Sequence, residues 1–306
     1  MTVTVSVVIC AHTFDRFDDI RAAVASVRAQ TRPADELLLV IDHNDKLLDA
    51  LSGIDAKVVP NTGPKGLSGG RNTGTDLASG DVVAYLDDDA VARPDWLAHL
   101  VAPFEADPRV VAVGGWAHPA WNTAEPAWFP PEFYWVIGCS HRGLPTRRAE
   151  VRNVIGCNMA YRRRAVIEAG GFDTGLGRTA DRPLGCEETE LCIRMRQLDP
   201  RAVILLEPRA EITHRVPEGR TRWRYFVSRC RAEGNSKAHV SSLVGSGDGL
   251  GSERAYVARV LPRAVLRSLF RLPREPKASS QRILAVVAGL AATTGGYLEH
   301  SFKHRT

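Results

Sequence analysis

Cysteine is scarce and unpatterned in this 306-residue chain: six residues, at positions 10, 139, 157, 186, 192 and 230, with no pair at CxxC spacing. That argues against a zinc site or a disulfide framework and for buried free thiols in a reducing compartment. The opening stretch MTVTVSVVIC has no basic region and no cleavage site, so it reads as a first strand and not as an export signal. No uninterrupted apolar run reaches the roughly 18 residues of a membrane-spanning helix. Ile283–Leu298 comes nearest, but Thr293, Thr294, Gly295 and Gly296 interrupt it, which suits a packed helix. GxGxxG does not follow the first strand, which argues against a dinucleotide fold. The Gly-rich loop at 61–70 is not closed by Gly-Lys-Ser/Thr and is no P-loop. No internal repeat is present.

The composition, 44% hydrophobic and 25% charged, is that of a globular protein. The length fits one large α/β domain with an appendage. Net charge is +5, which favours anionic partners. Basic residues thicken around Arg220–Arg231 and Arg263–Arg274. No nucleic-acid recognition motif accompanies them, so no nucleic-acid partner is expected.

Apolar runs alternate with helix-period stretches through the first half. Strands are expected at Val3–Cys10, Glu36–Asp42, Ala56–Pro60, Val82–Leu86 and Val110–Gly115. Helices are expected at Asp18–Gln30, Arg71–Ala78 and Pro94–Ala106. This alternation predicts a mostly parallel, Rossmann-like α/β sheet, whose ligands bind beyond the carboxyl ends of its strands. Residues 117–150, rich in Trp, Pro and Gly, read as a long excursion. Val154–Tyr161 and Ala202–Leu206 resume as strands, with a helix at Glu188–Leu198. We expect one domain over residues 1–219 and a helical, basic extension over 220–306.

Two acidic clusters fall where such a sheet would hold a ligand. Asp87-Asp88-Asp89 directly follows the buried run VVAYL. Adjacent carboxylates repel unless a cation offsets them, and hard divalent metals commonly bridge carboxylate to phosphate. The triplet therefore points to a metal that holds a diphosphate. Glycines at 63, 66, 69 and 70 allow close approach of backbone to ligand, and Arg71 beyond them can pair with phosphate or carboxylate. The second cluster, Glu187-Glu188-Thr189-Glu190, opens a helix and offers a proton acceptor. Helical spacing puts Glu187 and Glu190 on one face and turns Glu188 away. The aromatic residues Trp116, Trp121, Trp128, Phe129, Phe133, Tyr134 and Trp135 suit either a core or a sugar platform.

In this order the elements resemble the family 2 glycosyltransferases of GT-A fold. The blocks that carry the resemblance run from Ser6-Val-Val-Ile-Cys-Ala-His-Thr-Phe-Asp-Arg16 and Val40-Ile-Asp42 through Gly66-Leu-Ser-Gly-Gly-Arg71-Asn72 to Ala78…Asp89. They continue with Gly156-Cys-Asn158-Met-Ala-Tyr and Glu187-Glu188-Thr-Glu-Leu-Cys-Ile-Arg194. The aromatic stretch 121–139 and Arg229-Cys-Arg-Ala-Glu-Gly-Asn-Ser-Lys237 are similar to a prokaryotic subgroup that includes glucuronosyltransferases acting on a dolichyl-phosphate-linked sugar.

The resemblance implies an inverting transferase that uses a nucleotide-sugar, such as a UDP-sugar, with Mn2+ or Mg2+. It assigns Asp42 to the base, with Ala11, Thr13 and Asp15 lining that pocket, and puts Arg71 near the nucleotide. Asp87 and Asp88 would contact ribose or donor sugar, and Asp89 would bind metal, joined by His214. Glu188 aligns with the general base, a position where the family usually has aspartate; Glu187 is the neighbouring alternative. Asn158 falls on the acceptor-side strand, with Trp121 and Trp128 as acceptor-side aromatics. The implied acceptor is a glycan or a lipid-linked sugar, with a soluble natural product as the alternative. The basic C-terminal helices offer a peripheral contact to the cytoplasmic membrane face. Arg222-Trp223 lacks the glutamine of a processive-synthase motif. A sugar-phosphate nucleotidyltransferase or a non-catalytic nucleotide-sugar binder would share part of this pattern; the cluster at 187–190 favours glycosyl transfer.

Overall fold

The computed structural model describes residues 3–177 and 185–303. It divides into two compact units. The first comprises Met1–His118, Pro145–Arg182 and Glu187–His214; the second comprises Pro119–Leu144, Pro183–Cys186 and Arg215–Thr306.

Among the described residues nine strands form one mixed sheet: β1 (Val5–Ala11), β2 (Glu36–Ile41), β3 (Lys57–Pro60), β4 (Val82–Asp87), β5 (Ala90–Ala92), β6 (Val110–Trp121), β7 (Ala149–Glu150), β8 (Asn158–Arg162) and β9 (Val203–Val216). Their order is β3-β2-β1-β4-β8-β6-β9-β5, with β7 on β9. The β3-β2-β1-β4 half is parallel, and β8 joins β4 antiparallel. Side chains alternate between two cores. Val7, Ile9, Leu39 and Leu86 enter one, and Val8, Leu38, Val40 and Tyr85 the other. A sheet buried on both faces needs continuous apolar runs, which is why VSVVICA and ELLLVI read as unbroken hydrophobic segments.

The helices of the first unit are α1 (Phe17–Arg28), α2 (Asp45–Ala50), α3 (Leu67–Leu77), α4 (Trp96–Ala106), α5 (Arg163–Glu168) and α6 (Glu187–Leu198). α1 lays Ile20, Ala23, Val24 and Val27 on the sheet, the apolar face its spacing predicts. α3 starts four residues earlier than expected, inside the Gly-rich segment. Intrinsic propensity disfavours that start, but tertiary packing requires it. A Cβ on Gly69 would sit 1.8 Å from the Pro64 carbonyl oxygen.

β9 also differs from expectation. Glu207-Pro208-Arg209 reads as a strand end, yet the strand continues to Val216. Glu207 is buried there because Arg148 and Arg209 hold its carboxylate at 2.6 and 2.9 Å. β6 likewise runs on to Trp121, and the strand expected at Val154–Tyr161 forms only from Asn158. All six cysteines are free, and all but Cys10 are buried.

The second unit is helical, with α7 (Trp223–Val244), the short α8 (Ser246–Gly249) and α9 (Gly251–Ala255), α10 (Leu261–Arg271) and α11 (Pro276–Lys303). Its core gathers Phe129, Phe133, Val136 and Ile137 from the aromatic excursion with Phe226, Leu261 and Ala285 from the helices. α7 and α11 approach at backbone distance. A Cβ on Gly234 would meet the Thr293 carbonyl at 1.9 Å, and one on Gly296 the Arg231 carbonyl at 2.0 Å. Gly296, one of the glycines that interrupt the apolar run, thus marks packing, and no helix among the described residues is long and apolar enough to cross a membrane.

Candidate functional site

The site is built on the carboxyl ends of β1, β2 and β4. Cys10 pairs with Asp87 across the sheet, and the Asp42 amide donates to the Ala11 carbonyl at 2.8 Å. Two acidic strand ends distant in sequence therefore flank the end of β1.

Beyond Asp87 the chain turns through buried Asp88 and Asp89 into β5. β5 pairs antiparallel with β9, setting Ala90 opposite His214. That register explains why a histidine over a hundred residues away reaches the triplet. His214 Nε2 lies 3.1 Å from Asp89 Oδ1 and 3.9 Å from Asp87 Oδ2. One donor atom from each of Asp87, Asp89 and His214 falls within 4.8 Å of the others. Neighbouring ligands of a six-coordinate Mg2+-sized cation lie about 3 Å apart, so the cluster has the spacing of a cation site. The two carboxylates suit Mn2+ and Mg2+ alike, and the imidazole fits Mn2+ better than the harder Mg2+. Asp87, assigned by resemblance to ribose or sugar, stands here as a third candidate ligand.

Arg16 balances this charge. It ends a 3-10 turn, Phe14–Arg16, whose first residue is preceded by the capping hydroxyl of Thr13. One guanidinium nitrogen contacts Asp88 Oδ1, and the other lies 3.1 Å from Asp89 Oδ2. Burial pushes the Asp88 carboxyl up to about 7 against the pull of Arg16, with Asp89 and Asp87 adding repulsion. Its Oδ2 is buried without a hydrogen-bond partner among the described residues. A buried carboxylate oxygen left unmatched is costly, and a ligand donor or a cation would relieve it. Sequence reasoning gave Arg16 no role; its position just after β1 was the available signal.

Asp42 fastens the Gly-rich loop. Its Oδ1 accepts from Asn61 Nδ2 at 2.7 Å, and its Oδ2 from the Gly66 amide at 3.0 Å. Ala11 is buried, Thr13 half-buried and Asp15 exposed beside them.

Arg71 is 2% exposed and ties the two acidic clusters together. Its Nη1 donates to Glu187 Oε1 at 2.6 Å and its Nη2 to the Gly156 carbonyl at 2.9 Å, with Asp87 Oδ1 at 3.5 Å. In α6, Glu187 and Glu190 are buried, and Glu190 is held by Arg194. Glu188 is half-buried, and its Oε1 accepts from the Thr189 hydroxyl at 3.2 Å. The three carboxylates are thus divided as the helical spacing predicts, and Glu188 differs from its neighbours in solvent access. A Cβ on Gly156 would lie 3.4 Å from Arg71 Nη2 and 3.7 Å from Glu188 Oε2, so these side chains converge on one point.

Asn158, Trp121 and Trp128 are the remaining residues that the resemblance singled out. Asn158 is fully buried, and its amide is committed to the fold. Nδ2 donates to the Trp116 and Ala210 carbonyls at 3.2 and 2.9 Å, and Oδ1 accepts from Trp96 Nε1 at 2.8 Å. These bonds lock β8 to its neighbours. Trp121 and Trp128 belong to the second unit, half-buried in its aromatic core. Trp128 packs edge-on to Phe226, and Trp121 to Phe129.

The chain resembles known proteins in sequence and in fold. The chain is 36% identical over 300 residues to the glucosyl-dolichyl phosphate glucuronosyltransferase of Haloferax volcanii, covering 96% of this chain and 95% of that one. It is 27% identical over 217 residues to the succinoglycan biosynthesis protein ExoM of Rhizobium meliloti, covering 66% of this chain and 65% of that one. Among solved structures, mannosyltransferase PcManGT from Pyrobaculum calidifontis, in complex with GDP-Man and Mn2+, superposes with a TM-score of 0.58 at 17% identity, over 97% of this chain and 87% of that one. GalNAc-T7 with UDP, GalNAc and Mn2+ superposes with a TM-score of 0.52 at 21% identity, over 75% of this chain and 47% of that one. These structural likenesses identify the GT-A fold. The sequence model of glycosyl transferase family 2 matches residues 6–170, and with it the strand ends that carry Asp42 and Asp87–Asp89; the chain belongs to that glycosyltransferase family.

Proposed function

We propose that the protein is an inverting, metal-dependent glycosyltransferase that moves a hexosyl or glucuronosyl group from a UDP-sugar to a hydroxyl of a lipid-linked or cell-surface glycan. The observation that carries this reading is the convergence of Asp87, Asp89 and His214 at the end of β4. The relative from Haloferax volcanii, matched nearly end to end, supports the glucuronosyl donor and the lipid-phosphate-linked acceptor. On this reading the enzyme works at the cytoplasmic face of a membrane.

Asp87, Asp89 and His214 would hold the cation, which when bound neutralises charge growing on the leaving diphosphate. Arg16 holds Asp88 and Asp89 in place, so the triplet stays ordered despite its own repulsion. Asp42 fixes the Gly-rich loop beside the nucleoside. Arg71 braces Asp87 against Glu187, and so keeps the acidic strand end and the start of α6 in register. Glu187, held by that guanidinium, is a positioning group. Glu188, with access to solvent, takes the proton from the attacking hydroxyl as the bond to the anomeric carbon forms. General-base catalysis of this kind contributes about 10²–10⁴-fold.

The test is turnover of UDP- and GDP-sugars, glucuronate included, with Mn2+ and a polyprenyl-phosphate-linked sugar. Product bearing the opposite anomeric configuration, with release of nucleoside diphosphate, is expected. Retention of configuration, or pyrophosphate as the product, overturns the reading.

A further inference from the structure

The second unit carries an unpartnered helix face. On α10, Leu261, Ala264 and Ser268 pack inward. Leu266, Leu269 and Phe270 point away from that core and are 51%, 45% and 81% exposed. Phe270 is the most exposed large hydrophobic side chain among the described residues. Isolated exposed apolar residues are ordinary, but three adjoining ones on an 11-residue helix form a stripe.

The charge beside that stripe selects its occupant. Arg263, Arg267 and Arg271 repeat every fourth residue, one line along the helix next to Leu266 and Phe270. Arg267 is engaged by the buried Glu132, whereas Arg263, Arg271 and Arg274 are exposed. Residues 254–274 contain six arginines and no acidic residue. A second copy of the chain would bring arginine against arginine on this face. A lipid surface receives both features at once: acyl chains take the leucines and phenylalanine, and anionic headgroups take the guanidinium row. α11, which packs on α10, adds exposed Leu284, Val287 and Leu290.

We propose that α10 lies in the plane of an anionic bilayer, with Phe270 inserted below the headgroups and Arg263, Arg271 and Arg274 paired to them. The surface is defined without reference to donor or acceptor, and vesicle binding is read without turnover. Failure here would leave the transferase reading intact, and the converse also holds.

The experiment is flotation of the full chain with vesicles of phosphatidylcholine, with or without phosphatidylglycerol. Wild type is expected to partition roughly tenfold or more in favour of the anionic vesicles. Phe270→Asp should abolish binding, Phe270→Trp should retain it, and Arg263→Ser/Arg271→Ser/Arg274→Ser should erase the preference for anionic lipid. These positions are exposed, and an unchanged thermal midpoint checks folding. Equal partition of wild type to neutral and anionic vesicles overturns the proposal. So does wild-type binding by Phe270→Asp, or a wild-type dimer in sedimentation equilibrium that becomes monomeric in that variant.

Discussion

Arg71 Nη1 donates to Glu187 Oε1 across 2.6 Å, and both side chains are buried. The pair joins a helix from the diagnostic Gly-rich block to the helix that opens with the second acidic cluster. Each charge depends on the other, because a lone buried ion is far more costly than a matched pair.

Removing the arginine leaves Glu187 and Asp87 without their common partner. Arg71→Met should lower unfolding free energy by about 3–5 kcal/mol, measured by chemical denaturation. A loss below about 1 kcal/mol, the range of an exposed pair, would show that the guanidinium does not brace the site.

The two neighbouring glutamates should separate by phenotype. Glu188→Gln is expected to fold with wild-type stability and to lose about a hundredfold or more in transfer rate. Glu187→Gln should lose stability first, since it strips Arg71 of its ion pair. Denaturation midpoints and single-turnover rates on both variants decide the roles. Normal turnover in Glu188→Gln would move the base elsewhere.

The helical unit offers a test of packing. Gly234→Ala places a methyl 1.9 Å from the Thr293 carbonyl and 2.7 Å from the Tyr297 amide nitrogen, both backbone atoms that cannot rotate aside. It should cost about 1–3 kcal/mol, as overpacking does. Gly247→Ala, with nothing within 4 Å of the new Cβ, is the control.

Fold class and the acidic strand ends were legible because they rest on local patterns: buried apolar runs, turn glycines and a carboxylate triplet. What stayed hidden depended on tertiary pairing. His214 was reached through the family resemblance alone, because it follows residues whose charge and proline read as a strand end; Arg148 and Arg209 hold the buried Glu207 where β9 continues. Arg16 lies 72 residues from Asp88, and nothing local marks it as that carboxylate's partner. Asn158 sits in a family-like block that suggests the acceptor side, but its amide is saturated by Trp96, Trp116 and Ala210. The aromatic stretch was open between core and platform; its rings from Trp121 to Trp135 pack in the core of the second unit.

The central claim is that Asp87, Asp89 and His214 hold one cation on which donor binding depends. Calorimetric titration of a UDP-sugar into the protein with and without Mn2+, in wild type, Asp89→Asn and His214→Ala, tests it most directly. In wild type Mn2+ should tighten binding about tenfold or more, the scale on which losing a partner weakens a metal site, and both variants should lose that gain. Equal Mn2+ dependence in all three proteins would contradict the account.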